Sequence, residues 1–446
     1  MKKLYEGNIS KNFFLFALPL IITTLFSQAY NIINTIIAGA LLGDSSISAI
    51  GSTAPFISFI SSLFWGYGTG VAIYVAVLFG QNSYAKMVNV IKVNLLVSSL
   101  GAIIISVLCL IFYNTIFDCL NIEAALRREA FLYFSIYISG LFIFNLSWCC
   151  LYITHSLGLT VLPLISSVMT NVINIAGSYV LIKFFNFKVT GIAISTVFSG
   201  VCTTAFYMFM LIKTFKELGV KTGGIYFDKT EFNKSWSFAF PSMLQQSVMY
   251  FCTAVVSPLT NGFGADAIAG YTVGMKLYDL DSGVYQNSNK VVSSFVAQCI
   301  GAKKYALIKK GMKTIIIQTF LFLLPFLAVT VFFSGSISRM FLDSSESIHY
   351  AEVFMRFCMP FVLFNSINNL MHAVFKSAGA GMQLVVSTVI YSVSRILYSY
   401  LLYERLEMYG IYAAIVLSWI TEAIYGLVIY FSGKWKSEEY KLSENN

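Results

Sequence analysis

Charged residues are scarce in this sequence. Only 11% of its 446 residues are Asp, Glu, Lys or Arg, against about 25% in a typical soluble domain. With 57% of the chain hydrophobic and a mean hydropathy of +0.75, no soluble fold could keep so much apolar surface from water. The eight cysteines show no CxxC or Cys/His spacing, so neither a disulfide framework nor a metal site is expected. Seven lie in or at the ends of apolar runs and read as small packing residues, and Cys119 alone falls in a loop. The net charge of +9 does not come from a basic face interleaved with stacking aromatics, which argues against a nucleic-acid partner. Lys and Arg sit instead in short loops, where anionic headgroups and the membrane potential are their partners. No cleavable signal is expected, because the first apolar run, 13–42, is too long for one. No catalytic constellation and no sizeable soluble domain stand out, so the chain does not read as an enzyme.

What is present is a series of apolar runs. A membrane span needs about 20 predominantly apolar residues, and twelve runs qualify: 13–42, 52–79, 88–113, 131–154, 160–183, 189–212, 236–260, 266–299, 313–333, 352–375, 382–403 and 410–431. The longest polar stretch, 213–235, is the expected linker between a first lobe, 1–212, and a second, 236–446. With the N-terminus inside, nineteen of the Lys and Arg residues fall on the inside and six on the outside. The positive-inside rule then places both termini in the cytoplasm. The halves repeat with an offset of 221: Gly80, Tyr84 and Ala85 answer Gly301, Tyr305 and Ala306, Ser156 and Gly158 answer Ser377 and Gly379, and Ile47 answers Ile268. Near the start the offset is 222, where FALP (16–19) answers FAFP (238–241). Four places holding one offset within a residue indicate an internal duplication. Six spans per copy make it a parallel repeat, with a site expected between the halves.

Polar groups inside spans are costly and normally face a cavity or a partner. Helical spacing puts Gln28, Asn31 and Thr35 on one face of the first span with Asn34 nearby, and Asn171, Asn174 and Ser178 together on the fifth. Each set could line a cavity or make interhelical hydrogen bonds. The first half has no carboxylate deep in a span. The second half differs. On the eighth span Lys276, Asp279, Gly283, Asn287 and Lys290 share a face, and Asp281 points away. Lys276 and Asp279 are spaced to pair, as a structural ion pair or as a proton or cation site. The tenth span aligns Asn365, Asn368, Asn369 and His372, and a histidine there can titrate near neutral pH. Arg395 and Glu422 are the remaining buried charges, and Arg395 could pair with Asp279 or Glu422. Gly66, Gly68 and Gly70 within the second span permit close packing or bending, and Pro360 predicts a kink in the tenth.

These features together resemble the multidrug and toxic compound extrusion (MATE) family over nearly the full length. The resemblance rests on FALPLIITTLFSQAYNIINTIIAGALLG, SVMTNVINIAGSYVLI, GADAIAGYTVGMKLYDL with VSSFVAQCIGAKKY, and MPFVLFNSINNLMHAVFKSAGAG with SRILYSY. It implies an all-α membrane protein of 12 transmembrane helices in two six-helix lobes, V-shaped around a central cavity. It also implies alternating access, with amphipathic, often cationic, organic molecules exported in exchange for Na⁺ or H⁺. The chain departs from the family at its usual acids: Asn34 stands where many members have an aspartate, Ser178 stands at a second such place, and 236–260 holds no acid. Lys276 matches a basic residue of relatives, with Tyr278 in place of the acid and Asp279 beside it. Amides and hydroxyls do not release protons at physiological pH, so any coupling falls to the second lobe: Asp279 first, then Asp281 and Glu422, with Lys276 and Arg395 as partners.

The leading expectation is therefore a monomeric, multi-pass plasma-membrane exporter of small organic solutes, with no cofactor beyond a transported Na⁺ or H⁺. Its substrate cavity is expected at Gln28, Asn31, Asn34, Asn171, Asn174, Ser178, Asn287, Asn365, Asn369 and His372. Alternatives are a flippase of lipid-linked substrates, which a strongly basic cavity with Lys276, Lys290 and Arg395 would mark, and a non-transporting membrane sensor.

Overall fold

The computed structural model describes residues 3–42, 44–120, 122, 124, 126–220, 224–261 and 263–444. At 25, 28–42, 44–48, 254, 257, 261, 265, 443 and 444 it describes the backbone alone. All regular structure among these residues is helical, as expected where only helices or closed barrels can satisfy the backbone inside lipid. The chain divides into two compact units, Ile22–Met243 and Lys3–Ile21 with Leu244–Asn446.

The first unit holds most of α1 (Ile9–Leu42), then α2 (Asp44–Gly80), α3 (Tyr84–Ile111), α4 (Tyr113–Cys119), α5 (Arg127–Ser139), α6 (Leu141–Ser156), α7 (Val161–Lys183), α8 (Lys188–Glu217) and the beginning of α9 (Lys229–Asn261). Its centre is α2, packed on α3, α5 and α6, while α7 packs along α8. The second unit holds the start of α1, the rest of α9, α10 (Ala265–Gly301), α11 (Ala306–Phe332), α12 (Ser334–Ser338), α13 (Ser345–Cys358), α14 (Val362–Ser377), α15 (Gly381–Ser432) and α16 (Glu438–Glu444). There α10 takes the central place, packed on α11, α13 and α14, with α15 along α14.

The duplication is written in the backbone as well as the sequence. Left-handed φ values recur at Asn82 and Lys303, at Gly158 and Gly379, and at Asn186 and Glu407, each pair 221 apart. The first two pairs close helices in the same way: Ser83 and Lys304 donate back to Leu78 and Cys299, and Leu159 and Ala380 to Thr154 and Phe375. These are six-to-one bonds of helix ends that satisfy otherwise orphaned carbonyls.

Several sequence boundaries move. Unit membership changes at 21/22 and 243/244 rather than at the polar linker. Polarity marks where chain leaves the membrane, not which bundle a helix packs in. Phe13, Phe16 and Leu20 of α1 are buried with Val291, Phe295 and Phe375 of the second unit, Phe13 meeting Phe295 edge-on at 4.9 Å. The linker itself is shorter than expected, because α8 runs to Glu217 and α9 begins at Lys229. Cys119 ends a short helix rather than lying in a loop. The fourth expected span is the pair α5 and α6, bent by 49° at Gly140. The tenth is α13 and α14 with a 3-10 turn at Met359–Phe361, the break Pro360 predicts. The last two are the two parts of α15, which kinks at non-helical Glu407.

Among the described residues six helices are long and apolar enough to cross a membrane, and the bent pair makes a seventh. Helices α9 and α10 are long enough, at 33 and 37 residues, but their charged and amide side chains dilute the apolar signal.

Small residues set the tightest contact of the first unit. A Cβ on Gly66 would fall 2.5 Å from the Ser242 carbonyl oxygen, and one on Gly70 would fall 2.7 Å from the Ala239 nitrogen. Glycine spacing of four thus lets the α9 backbone seat on α2. Polar bonds flank the seat: Tyr67 and Ser235 hydroxyls donate to Asn94 Oδ1 at 2.7 and 3.0 Å, and the Tyr74 hydroxyl donates to Glu231 Oε2 at 2.6 Å. Gly68 faces the other way, onto Cys149 and Tyr152 of α6.

Candidate functional site

In the first unit the side chains of Gln28, Asn31 and Asn34 lie outside the described residues. Asn174 is buried and donates to Thr196 Oγ1 at 3.0 Å, while its carbonyl accepts from Ser195 Oγ at 2.7 Å. Gly177, between Asn174 and Ser178, lies directly against Ser195. This is the interhelical reading of that face: its amide joins α7 to α8. Ser178 is fully buried with no hydrogen-bond partner among the described residues, and Asn171 is half-buried.

The second unit holds two connected polar layers. In one, Asn365 Nδ2 of α14 donates to the hydroxyls of Tyr278 and Tyr285 at 2.7 and 3.0 Å, and Tyr285 donates to Tyr278 at 2.9 Å. Tyr278 stacks on Trp419 at 5.5 Å. Asn369 donates to the Asn365 carbonyl at 3.0 Å, and Lys290 donates to Asn287 Oδ1 at 3.0 Å. The Arg395 guanidinium acts electrostatically on Tyr271, Tyr278 and Tyr391 and on the Cys252 and Cys358 thiols. Arg395 thus sits among phenols and thiols, and the ion pairs of the described residues include none between it and Asp279 or Glu422.

The other layer is built on His372. Its Nε2 lies 2.9 Å from Glu422 Oε1 and 3.1 Å from Ser387 Oγ, and Ser387 donates to the same Glu422 oxygen at 3.2 Å. Its Nδ1 lies 2.9 Å from Gln245 Nε2. His372 and Glu422 are 5% and 3% exposed, so the pair is inside the bundle, joining α9, α14 and α15. Glu422 therefore has a partner on α14 instead of Arg395.

The expected face of the eighth span is split along its length: its first two residues are exposed, while Gly283 and Asn287 are buried. Lys276 and Asp279 are on an exposed face, and no ion pair joins them. Asp279 acts electrostatically on Tyr250, Tyr271 and Tyr278. Asp281 points the other way and is 1% exposed, with Thr330 Oγ1 at 3.5 Å as its hydrogen-bond partner. Gln245 and Ser387 escaped the sequence reading. Gln245 had a signal, since an amide within an apolar run calls for a partner. Ser387 had none, because serines are common in these helices.

The chain matches the MatE family over residues 19–180 and 241–401, one stretch in each half. Among similar proteins, the multidrug export protein MepA of Staphylococcus saprophyticus is 23% identical over 396 residues, 87% of this chain and 86% of the relative. MepA of Staphylococcus aureus (strain MSSA476) is 22% identical over 370 residues, 82% and 81% of the two chains. A multidrug resistance MATE family transporter of the MOP superfamily, solved facing outward, superposes with a TM-score of 0.88 at 19% identity, covering 96% of this chain and 97% of that one. A MOP superfamily transporter from Pyrococcus furiosus, whose reverse binding-pocket polarity suggests a different function, gives 0.88 at 19% identity over 96% of each chain. Duplicated bundle, matched halves and shared helical plan lead to one conclusion: this chain belongs to the MatE family of membrane transporters.

Proposed function

We propose that the chain is a secondary active exporter of small amphipathic or cationic organic compounds, working by alternating access in the plasma membrane with both termini cytoplasmic. The observation that carries this is the match to multidrug export proteins over more than four-fifths of the chain. The polar interior of the second unit supports it. Buried ionisable groups are costly in lipid and are retained where ions or substrates move. Export is driven by antiport with Na⁺ or H⁺. The carboxylates available for coupling are Asp279, Asp281 and Glu422, of which Glu422 has a histidine at hydrogen-bond distance.

A flippase of anionic, lipid-linked cargo is the second reading. Lys376 favours it, being a buried cation with no ion pair among the described residues. The deciding experiment reconstitutes the purified protein in liposomes and follows ethidium under an imposed pH or Na⁺ gradient, beside a fluorescent lipid pyrophosphate. Movement of ethidium under either gradient supports export. Movement of the lipid alone transfers the assignment to the flippase. Asp279→Asn in the same assay abolishes flux if that residue couples, and leaves it intact if coupling lies elsewhere.

A further inference from the structure

The polar layer around His372 sets a carboxylate at hydrogen-bond distance from an imidazole yet is shielded as a core. Its elements are a carboxylate, an imidazole, a hydroxyl shared between them and an amide on the far ring nitrogen. Packed about it are buried Leu370, Met371, Ala373, Val374, Phe375 and Leu384. Resting on the exporter reading above, we propose that His372 and Glu422 together form the proton-binding site that couples transport, with Gln245 as a reversible partner, and that the driving ion is H⁺.

Three features carry this. First, the pair can exist in two charge states that differ by one proton. Neutral imidazole with carboxylate carries −1; one proton from water, on Nδ1, brings it to zero. Second, Gln245 can serve both. As placed, its Nε2 lies at Nδ1, suited to a neutral ring that accepts there, and its Oε1 has no hydrogen-bond partner among the described residues. A half-turn of the amide presents Oε1 to an imidazolium, which donates from both nitrogens. Third, the site does not suit Na⁺, which needs a shell of oxygens. Here Glu422 Oε1 is occupied by an imidazole nitrogen and the Ser387 hydroxyl together.

Other polar and charged groups lie on the helices that carry the pair and on their neighbours. From α9 comes Gln245. From α15 come Ser387 and, acted on electrostatically by Glu422, Tyr391. On α14 itself Asn369 precedes His372 by one turn, and Lys376 follows by one turn on the same stripe. From α10, Asn289 donates to the Asn369 carbonyl and Lys290 is held by Asn287. At the repeat offset of 221, His372 and Glu422 correspond to Leu151 and Val201, so the first half has no counterpart of the pair.

The test uses the purified full-length protein, whose three histidines give three sets of ¹⁵N ring signals. The expected result is that the His372 ring shows both its neutral and its imidazolium form across the pH range in which transport runs. In liposomes a pH gradient, not a Na⁺ gradient, should drive ethidium. Glu422→Gln and His372→Gln should each cut that flux about tenfold or more, while ethidium binding of Glu422→Gln stays within about twofold. Gln245→Leu removes the amide that can partner the ring in both charge states and should cut pH-driven flux about tenfold. The proposal is overturned if the wild-type ring keeps one protonation state over that range, if Na⁺ alone drives flux, or if Glu422→Gln retains pH-driven flux. A wild type that moves no organic cation under either gradient sinks the exporter reading instead, and the ring titration still decides the proton site. Because that titration is read on wild type, it does not depend on any variant folding.

Discussion

Consider replacing Gly70 by alanine. The added methyl would stand 2.7 Å from the Ala239 nitrogen, whereas carbon atoms rest at about 3.5–4.0 Å from their neighbours. The obstruction is backbone, so no rotamer change relieves it, and α9 must lift from α2 by about 1 Å. Such overpacking costs about 1–3 kcal/mol. Gly101 of α3 is the control, because a Cβ there meets nothing within 4 Å. Both substitutions gain the same helix propensity, about 0.5–1 kcal/mol, so the difference between them isolates the clash. For a unit of this size, 1 kcal/mol moves Tm by about 2–4 °C, which places Gly70→Ala about 2–12 °C below Gly101→Ala. Fluorescence-monitored thermal unfolding in detergent reads this directly. If the two variants melt within about one degree of each other, the close seat of α9 on α2 is wrong.

Other outcomes follow from the same geometry. Burial raises the Glu231 carboxyl, but hydrogen bonds from Tyr74 and Lys234 and the charges of Lys234 and Lys86 outweigh it and hold the group below its ordinary value. Its stabilisation is therefore present above the ordinary carboxylate range and lost as pH falls through the lowered value. The Tm deficit of Glu231→Gln should be full at neutral pH and vanish in acid, and a deficit that persists in acid contradicts this. Asn174→Ala should cost about 0.6–2 kcal/mol of stability with transport per folded molecule kept within about twofold, whereas an unchanged Tm with lost flux would return Asn174 to the cavity. Glu407 holds φ 51° and ψ −132°, a region essentially reserved for glycine, so Glu407→Gly should stabilise by about 1–3 kcal/mol. A lower melting temperature for that variant would show that the glutamate side chain contributes more than the backbone strain costs.

Much of the plan was legible because hydropathy acts locally. Apolar runs, the break at Pro360 and the 221 offset are properties of short windows, and each reappears as a helix, a 3-10 turn or a repeated left-handed residue. What was not legible depends on which helix faces which. Periodicity put Asp279 and Asp281 on opposite faces of α10, as found, but could not reveal that Lys276 and Asp279 form no ion pair. His372 and Glu422 are 50 positions apart and meet through the packing of α14 on α15. Charge complementarity alone suggested Arg395 for Glu422, whereas that arginine acts electrostatically on the phenols of Tyr271, Tyr278 and Tyr391. Unit membership of α1 and α9 was hidden for the same reason, since nothing in Phe13 or Phe16 announces burial against Phe295.

That last arrangement sets a timetable for synthesis. The Leu4 amide donates to Gln298 Oε1, 294 residues later, and the cluster that buries Leu4, Phe13 and Leu20 also contains Ile429, Trp435 and Tyr440. At about 5–20 residues per second, the ribosome needs about 15–60 s between making Leu4 and making Gln298. During that interval the beginning of α1 exists without its destination. A nascent chain halted near the linker would hold an unfilled groove and an unplaced helix end at once, and the bundle can be completed only when the last helices arrive.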